Sequence, residues 1–337
     1  MRKILVFLVV AIVLSGCALN KSVYIPYNNT GHKDAAYEWA PHDDGGEWWY
    51  LTGYVPDQNN KLYLYQITIF RGYLIRHMVN LLEIYPLHLS FTDCSTGQHV
   101  FYEEIKFSSD EIYADSRCAV FKDSKICLDN QQIKIVGVSD KLKLNLEGTP
   151  TKDAVWHGKD GVIVMGHPDK PKERSYYYSF TNISTKGVIE FKDEKGNWIK
   201  IDGNGKAWFD RQWGRFTEVG WEWFSFRFFD DEEIMLFPFP KTGSKEGTYI
   251  DKKGNVIPFD NFTYSVKKFK MFNGKKIGLG WNVTVPFKEK EYEVVPIVED
   301  QFNPSMINNY WEGICKVLNS KGELVGYAII ETPGSAY

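Results

Sequence analysis

Apolar and polar residues alternate at every second position through most of this sequence, and this alternation restricts the fold more than any other feature. Examples are KLYLYQITIF (61–70), KLKLNLEG (141–148), YYYSFTNIS (176–184) and EWFSFRFF (222–229). Such segments are typical of strands with two distinct faces, and Gly, Asn and Asp turns separate them. Many short strands at regular spacing predict an all-β sandwich or barrel.

A weak internal repeat predicts two copies of one barrel. The segment GGEWWYLTGYV (45–55) resembles GWEWFSFRFFD (220–230), and each precedes a second apolar strand. Two units joined near 200–215 account for both the repeat and the chain length. We therefore predict an N-terminal domain at 35–205 and a C-terminal domain at 206–337.

The N-terminus has the pattern of a secretion signal. Arg2 and Lys3 precede an apolar run that is too short to cross a bilayer as a helix. The segment LSGC resembles a bacterial lipoprotein box, which implies a signal peptide at 1–16, acylation of Cys17 and a tether at 17–34. The expected location is the periplasmic face of a bacterial membrane, with the residue after Cys17 favouring the outer membrane. A plain cleaved signal with an incidental cysteine is the alternative.

The charge of the chain argues against nucleic acid as a partner. The formal net charge is −3, and removal of 1–16, with two basic and no acidic residues, changes it to −3 − 2 = −5. Proteins that bind nucleic acid usually carry a basic patch. The expected partners are a hydrophobic small molecule and, through the lipid anchor, a membrane.

Four cysteines follow the lipoprotein box, and they allow three pairings among which the sequence does not choose. They are Cys94, Cys118, Cys127 and Cys315. The segment AVFKDSKI predicts a hairpin with a turn at 122–123 that places Cys118 opposite Cys127, and a disulfide there suits an oxidising periplasm. The histidine and cysteine spacings match no zinc motif, so we expect no metal and no cofactor.

The segment PHDDGGEWWYLTGYV (41–55) contains the first candidate acid. In a strand, Glu47 shares a face with Trp49. A carboxyl held against an indole in a dry cavity has a raised pKa, which suits a general acid near neutral pH. The alternative is structural, because Glu47 could pair with Arg71 or Arg211 and close a barrel end.

The segment GKAWFDRQWGRF (205–216) contains the second candidate acid. Asp210 shares a strand face with Trp208 and Gln212, while Trp213 takes the other face. An acid, an amide and an indole on one wall make a polar spot in an aromatic pocket, as ligand sites often have. Here too, a structural ion pair is the alternative.

Several motifs in order along the mature chain identify a family resemblance. They are His42 with EWWY (47–50), YQITIFR (65–71), LHLSFTD (87–93), YYYSFTNISTKGVI (176–189), GKAWFDRQWG (205–214), GWEWFSFRFFDDEEIMLF (220–237) and YWEGICKVLNSKGELVGYAIIE (310–331). The chain resembles the AttH/CrtC-like lipocalin-type family, which includes carotenoid 1,2-hydratase (hydroxyneurosporene synthase). The resemblance implies two tandem lipocalin-like, calycin-type antiparallel β-barrels with a cavity at or between them. The C-terminal ETPGSAY departs from the family pattern.

The resemblance also implies action on apolar molecules such as lipids, terpenoids or polyketides. The residues that it marks are His42, Glu47, Tyr178, Asp210, Gln212, Trp213, Glu222 and Glu312, to which the strand faces add Trp49 and Trp208 as ligand contacts. If the protein is an enzyme, we expect a hydratase or isomerase in which Asp210 protonates an alkene. Glu47 or His42 would position the water, and Trp213 and Tyr178 would stabilise a carbocation.

Two other functions remain open on the same residues. In a carrier, the cavity would hold a lipid or pigment unchanged, and the acid–aromatic clusters would be barrel-end structure. In a carbohydrate-active protein, sugars would stack on tryptophan and paired carboxylates would cleave them. The acids here lie in apolar strands, which favours an apolar ligand.

Overall fold

The computed structural model describes residues 24–26, 33–43, 45–57, 61–75, 81–165, 169, 174–215, 220–307, 309–334 and 336–337. Within these ranges the chain forms strands and turns, and they contain no helix. It follows that no helix long and apolar enough to cross a membrane occurs in this part of the chain. The signal peptide, Cys17 and most of the tether lie outside the described residues.

The first sheet contains every described strand up to residue 215. Its strands are β1 (Gly46–Pro56), β2 (Leu62–Ile75), β3 (Leu81–Asp93), β4 (His99–Phe107), β5 (Ile112–Ala114), β6 (Cys118–Phe121), β7 (Ser124–Asp129), β8 (Gln132–Val138), β9 (Leu142–Pro150), β10 (Val155–Trp156), β11 (Val162–Ile163), β12 (Arg174–Lys192), β13 (Trp198–Asp202) and β14 (Gly205–Arg215). The order is β4-β3-β2-β1-β14-β12-β9-β8-β7-β6-β5, and the short β10, β11 and β13 pair with β12. This antiparallel sheet curls into a nearly closed barrel.

The second sheet forms a half-barrel from the strands that follow. They are β15 (Trp223–Phe228), β16 (Glu233–Phe239), β17 (Ser244–Ile250), β18 (Val256–Phe259), β19 (Thr263–Phe272), β20 (Lys275–Thr284), β21 (Glu291–Pro296), β22 (Phe302–Asn303), β23 (Tyr310–Asn319) and β24 (Leu324–Pro333). The order is β18-β17-β16-β15-β24-β23-β21-β20-β19, with β22 paired to β23. Both sheets are antiparallel, and the all-β prediction with two lipocalin-like barrels is confirmed.

The two sheets share one topological feature. In each sheet the first strand pairs with the strand that follows it and also with the last long strand: β1 with β2 and β14, and β15 with β16 and β24. The strands β1 and β15 come from the two segments of the internal repeat. The repeat therefore corresponds to equivalent positions in the two sheets.

The alternation in the strands produces three apolar layers. One face of the first sheet fills the interior of its barrel, and one face of the second sheet lines the half-barrel. The outer faces of both sheets pack against each other in a third cluster that includes Tyr50, Trp208, Trp223 and Phe237. Strands such as β1 and β14 are therefore buried on both faces, because the second sheet covers the outer wall of the first barrel.

The division between the two sheets lies after Arg215. The strand β14 pairs with β1 on one side and with β12 on the other, so 205–215 belong to the first sheet. The new sheet begins at Trp223.

The predicted hairpin between β6 and β7 is confirmed, including its register. Cys118 lies opposite Cys127, and the two are joined in a disulfide. Lys122 in the turn has a φ of 53°, which allows the tight reversal. Among the described cysteines, Cys94 and Cys315 are free thiols.

Candidate functional site

One row of directly opposed residues, most of them polar, crosses the outer face of the first sheet. From β4 to β12 the row reads Glu103, His88, Thr68, Tyr50, Asp210 and Ser179. Their side chains share a face because cross-strand partners point to the same side of a sheet. We call this set the cross-strand row.

A cavity of about 300 Å³ lies between the two sheets beside the cross-strand row. Aromatic and aliphatic side chains make up most of its wall, and a few polar groups interrupt them. The lining residues are Gly46, Glu47, Trp48, Tyr50, Gln66, Thr68, Phe70, Arg71, Gly72, Tyr73, Ile84, Pro86, His88, Asp210, Gln212, Trp221, Trp223, Phe237, Ile307, Tyr310 and Glu331. Ligand sites commonly have this composition.

Asp210 is the acid on the cavity wall that the sequence singled out, and its environment is that of a general acid. Burial raises the pKa of its carboxyl to about 7, against the opposing effect of its hydrogen bonds. Trp208 Nε1 donates to Asp210 Oδ1 at 2.5 Å, and the hydroxyl of Ser179 donates to the same oxygen. The predicted common face of Trp208, Asp210 and Gln212 is confirmed by these contacts and by the cavity lining.

A chain of polar groups runs behind Asp210 towards the second sheet. The Ser179 hydroxyl lies 2.8 Å from His157 Nε2, and His157 Nδ1 lies 2.9 Å from the Thr248 hydroxyl. Burial lowers the pKa of His157 to about 3, so this imidazole is neutral at physiological pH. The chain fixes the orientation of Ser179 and therefore of the Asp210 carboxyl.

Glu331 is a second acid in the cavity, and the sequence analysis missed it. Burial raises the pKa of its carboxyl to about 7, and the charge of Asp210 adds to the effect. Trp221 Nε1 donates to Glu331 Oε1 at 3.1 Å. The residue follows the apolar run YAII (327–330) within β24. It is the first residue of ETPGSAY, the segment that departs from the family pattern. A carboxylate at the end of an apolar strand was the signal that could have identified it.

Glu312, which the family resemblance marks, lies opposite Glu331 in the second sheet. Its carboxyl accepts a hydrogen bond from the Tyr50 hydroxyl at 2.9 Å. Burial raises the pKa of Glu312 to about 8, and the neighbouring charge of Glu331 raises it further. Glu312 is not among the residues that line the cavity, and it contacts a ligand only through Tyr50.

The expectation of a raised pKa is wrong for Glu47. Burial alone would raise it, but Arg211 and Arg71 hold the pKa of this carboxyl well below its usual range. Each guanidinium forms an ion pair with one Glu47 oxygen at 2.5 Å. Although Glu47 borders the cavity, its carboxylate is fully engaged. The structural alternative, pairing with Arg71 or Arg211, is confirmed for both arginines.

His42 belongs to the same charged cluster and is buried. Its Nδ1 lies 3.0 Å from Glu47 and its Nε2 lies 2.9 Å from Glu38. The imidazole stacks on Trp213 with ring centroids 4.2 Å apart. His42 is absent from the cavity lining, so the expected pairing of His42 or Glu47 with Asp210 on one substrate is not what the geometry provides.

Three predicted aromatic contacts lie on the opposite face of the first sheet from the cavity. Trp49, Tyr178 and Trp213 pack in the barrel interior. They cannot flank a ligand beside Asp210, because all three point to the other side of the sheet. Trp213 is three residues from Asp210 along β14, and Trp49 and Tyr178 lie opposite Arg211, the residue next to Asp210. The rings that do line the cavity near Asp210 are Tyr50 and Trp223, which meet edge to face at 5.7 Å.

Of the two remaining predicted residues, Gln212 lies on the cavity wall and Glu222 lies away from it. Gln212 lines the cavity, and its amide donates to the Ser175 hydroxyl. Glu222 lies at the half-barrel face of the second sheet, where Trp281 Nε1 donates to it at 3.0 Å. Burial raises the pKa of Glu222 to about 7, but the residue is outside the cavity. In the described part of the chain, no three His, Cys, Asp or Glu residues form a group that could hold a metal.

Solved structures share this fold over nearly the whole chain. A candidate AttH protein from Nitrosomonas europaea has a TM-score of 0.79 and 20% identity, covering 92% of this chain and 99% of its own. Kievitone hydratase from Nectria haematococca has a TM-score of 0.69 and 16% identity, and the match covers 93% of this chain and 96% of the hydratase. CghA, solved with Sch210972, has a TM-score of 0.56 and 10% identity, and the match covers 95% of this chain and 96% of CghA.

At these identities the structural likeness establishes the fold, while the family follows from the sequence. No curated protein matches the sequence. The family model described as AttH-like matches residues 32–335, which is most of the chain. This protein therefore belongs to the AttH-like family.

Proposed function

We propose that this protein binds an unsaturated apolar small molecule in the cavity between its sheets and hydrates or isomerises a double bond of that molecule. The observation that carries the proposal is the carboxyl of Asp210, whose pKa of about 7 leaves it substantially protonated at neutral pH on a largely apolar wall. An alkene carbon needs a strong, positioned proton donor, and burial supplies one from an ordinary carboxyl.

Asp210 and Glu331 divide the acid and base roles in this mechanism. Both carboxyls line the cavity and both have a pKa of about 7, and the charge of Asp210 disfavours ionisation of Glu331. Like charges that face one cavity favour a state with a single shared proton. That state contains one donor and one acceptor at the same time.

Hydration needs one proton transfer to the alkene and one from water. Asp210 gives its proton to one alkene carbon, so that a C–H bond forms and the neighbouring carbon becomes a cation. Water attacks this carbon while Glu331 takes a proton from the water, which leaves an alcohol. In isomerisation, Glu331 removes a proton from the carbon next to the cation and the double bond forms at a new place. Return of the proton from Glu331 to Asp210 resets the site.

The cavity wall suits a transient cation. The rings of Tyr50 and Trp223 line the cavity, and aromatic faces attract positive charge. The relative named kievitone hydratase, which has the same fold, supports water addition as the reaction type. The carbocation walls named from the sequence, Trp213 and Tyr178, are replaced in this proposal by Tyr50 and Trp223.

A non-catalytic carrier is the second candidate function. In that case the hydrogen bonds from Trp208 and Ser179 would make Asp210 a buried anchor for the contact between the sheets. The apolar cavity would bind the same class of ligand and release it unchanged. The two functions differ only in the fate of the ligand.

Lipid anchoring is part of the proposal. The lipoprotein-like segment that ends at Cys17 supports attachment to the periplasmic face of a bacterial membrane, with the outer membrane favoured. The Cys118–Cys127 disulfide is in keeping with an oxidising compartment. Radiolabelled palmitate incorporation that is lost in Cys17→Ala would support the anchor, and unchanged incorporation would contradict it.

The test of function is mass spectrometry of an apolar extract from the protein's own cells, incubated with the purified protein. We expect one unsaturated component to gain the mass of water, or to shift in retention at constant mass. Asp210→Asn should abolish the change. Glu246→Gln is the matched control, because the pKa of Glu246 is also raised by burial but the residue lies outside the cavity.

Each outcome separates the two candidates. A ligand that co-purifies and leaves unaltered identifies a carrier. A product that forms equally well with Asp210→Asn removes Asp210 from the chemistry and contradicts the mechanism.

A further inference from the structure

The cavity has a second polar end, which the mechanism above does not use. There, Tyr310 Oη from the second sheet lies 3.0 Å from His88 Nδ1, and His88 Nε2 lies 2.9 Å from Glu103 Oε1. His88 and Tyr310 both line the cavity and stack with ring centroids 5.7 Å apart. Along the cross-strand row, His88 is three strands from Asp210, or about 14 Å at ordinary strand spacing.

The direction of these hydrogen bonds follows from the charge on Glu103. Burial opposes ionisation, but hydrogen bonds from His88, the Ser305 hydroxyl and a backbone N–H hold the pKa of Glu103 below its usual range. A carboxylate only accepts, so His88 Nε2 carries a hydrogen and donates it. Burial lowers the pKa of His88, which keeps the ring neutral and leaves Nδ1 as an acceptor for the Tyr310 hydroxyl.

The Tyr310 oxygen therefore remains available as an acceptor on the cavity wall. Its one hydrogen is directed at His88 Nδ1, and a phenol oxygen that donates its hydrogen still has acceptor capacity. The ring comes from β23, while His88 comes from β3. The contact thus depends on the packing of the two sheets and holds the phenol oxygen at a fixed place.

Gln66 provides a second acceptor on the same wall. The residue is fully buried and lines the cavity, and its amide nitrogen donates to the Thr68 hydroxyl. Its Oε1 has no hydrogen-bond partner among the described residues. A buried acceptor without a partner carries a free-energy penalty that a ligand donor can remove.

We infer that the apolar ligand bears a hydroxyl group, as in a terpenoid alcohol or a phenol, and that this group donates its one hydrogen to Tyr310 or to Gln66 at the end of the cavity away from Asp210. The inference rests on the proposed function, because it names the chemical class of the molecule in that cavity. Ketones and ethers are disfavoured, since they offer only lone pairs to a wall that already presents acceptors.

The inference is tested by binding alone, without turnover. The probes are farnesol, farnesyl methyl ether and β-farnesene, which share an unsaturated chain and differ in the terminal group. Binding is followed by quenching of tryptophan fluorescence, because Trp48, Trp221 and Trp223 line the cavity. We expect farnesol to bind about tenfold more tightly than either other probe, in line with a hydrogen bond to a buried acceptor.

Variants assign the preference to its residues. Gln66→Met and Tyr310→Phe remove the acceptors with little change of volume, and the double variant should bind all three probes within about twofold of one another. Tyr292→Phe is the matched control, because its hydroxyl is also buried without a partner in the described structure but lies outside the cavity.

The outcomes distinguish this inference from the proposed function. Equal affinity of the native protein for farnesol and its methyl ether overturns the inference, as does a farnesol preference that survives in the folded double variant. In either case binding of an apolar ligand still stands. If none of the three probes binds the native protein, both the inference and the apolar-ligand proposal fail.

Discussion

Glu312 and Glu331 lie directly opposite each other on neighbouring strands of the second sheet, where Glu312 is buried and Glu331 is half-buried. Two carboxylates in such positions repel each other in a medium that solvates them poorly. The arrangement is stable because burial raises the pKa of Glu312 to about 8 and that of Glu331 to about 7, so at least one of them is protonated at neutral pH.

This pair predicts that stability falls as pH rises. Between the unfolded value near 4.5 and the folded pKa of about 8, the folded protein binds more protons at Glu312 than the unfolded chain does. The free energy of unfolding should therefore decrease from pH 5 to pH 8. Glu312→Gln should flatten this slope and stabilise the protein at pH 8 by about 4 kcal/mol, since the pKa rises by roughly three units and one unit corresponds to about 1.4 kcal/mol. Urea unfolding at several pH values measures both effects.

The control for this prediction is Glu291→Gln, which removes a carboxylate exposed on β21. It should leave the slope of stability against pH unchanged. A native protein that gains stability between pH 5 and pH 8, or a Glu312→Gln variant with the native slope, would contradict the assignment.

Glu47 and Asp210 should respond to amide substitution in opposite ways. Glu47→Gln leaves the guanidinium groups of Arg71 and Arg211 buried without their anion, and we expect a loss of about 3–5 kcal/mol in unfolding free energy. Asp210→Asn keeps an acceptor oxygen for Trp208 and Ser179, so its stability should stay within about 1 kcal/mol of the native value.

Guanidinium chloride unfolding of both variants at pH 7 makes the comparison. If Glu47→Gln unfolds with the native midpoint, the ion pairs contribute little and the structural role of Glu47 is wrong. A large loss of unfolding free energy in Asp210→Asn would favour the carrier function, in which that carboxyl stabilises the contact between the two sheets.

The sequence contained the elements of this fold but not the relation between its two sheets. Period-two alternation identified the strands, and it also placed Trp208, Asp210 and Gln212 on one face. It could not say which face of a barrel the second sheet would cover, because β1 and β14 are apolar on both sides. The sequence therefore did not show that the second sheet covers the face that carries Asp210 and leaves Trp213 inside the barrel.

Glu331 shows the same limit in a different way. It reaches the cavity beside Asp210 only because β24 packs across the outer wall of the first barrel, at a sequence separation that no local pattern encodes. By contrast, the hairpin that joins Cys118 to Cys127 was predictable, because its register depends on a two-residue turn.

The Cys118–Cys127 disulfide should contribute about 2 kcal/mol to stability. It closes a short loop, with a sequence separation of 9, and the entropic benefit of a disulfide grows with loop length. Thermal unfolding of the double variant Cys118→Ser and Cys127→Ser, compared with the native protein, measures the contribution. An unchanged melting temperature would contradict it. Neither cysteine lines the cavity, so affinity for farnesol should stay the same.

The pH dependence of turnover is the sharpest prediction about the acid pair. If Asp210 must be protonated and Glu331 ionised, kcat/KM for the substrate found in the extract should follow a bell centred near pH 7. Each limb should approach a tenfold fall per pH unit, and the two apparent pKa values belong to the pair. In Glu331→Gln the rate should drop about 100-fold and the loss of rate at low pH should disappear, because only protonation of Asp210 still matters. Glu246→Gln should keep the native bell. A rate that does not vary between pH 5 and pH 9, or a native profile in Glu331→Gln, would remove Glu331 from the mechanism.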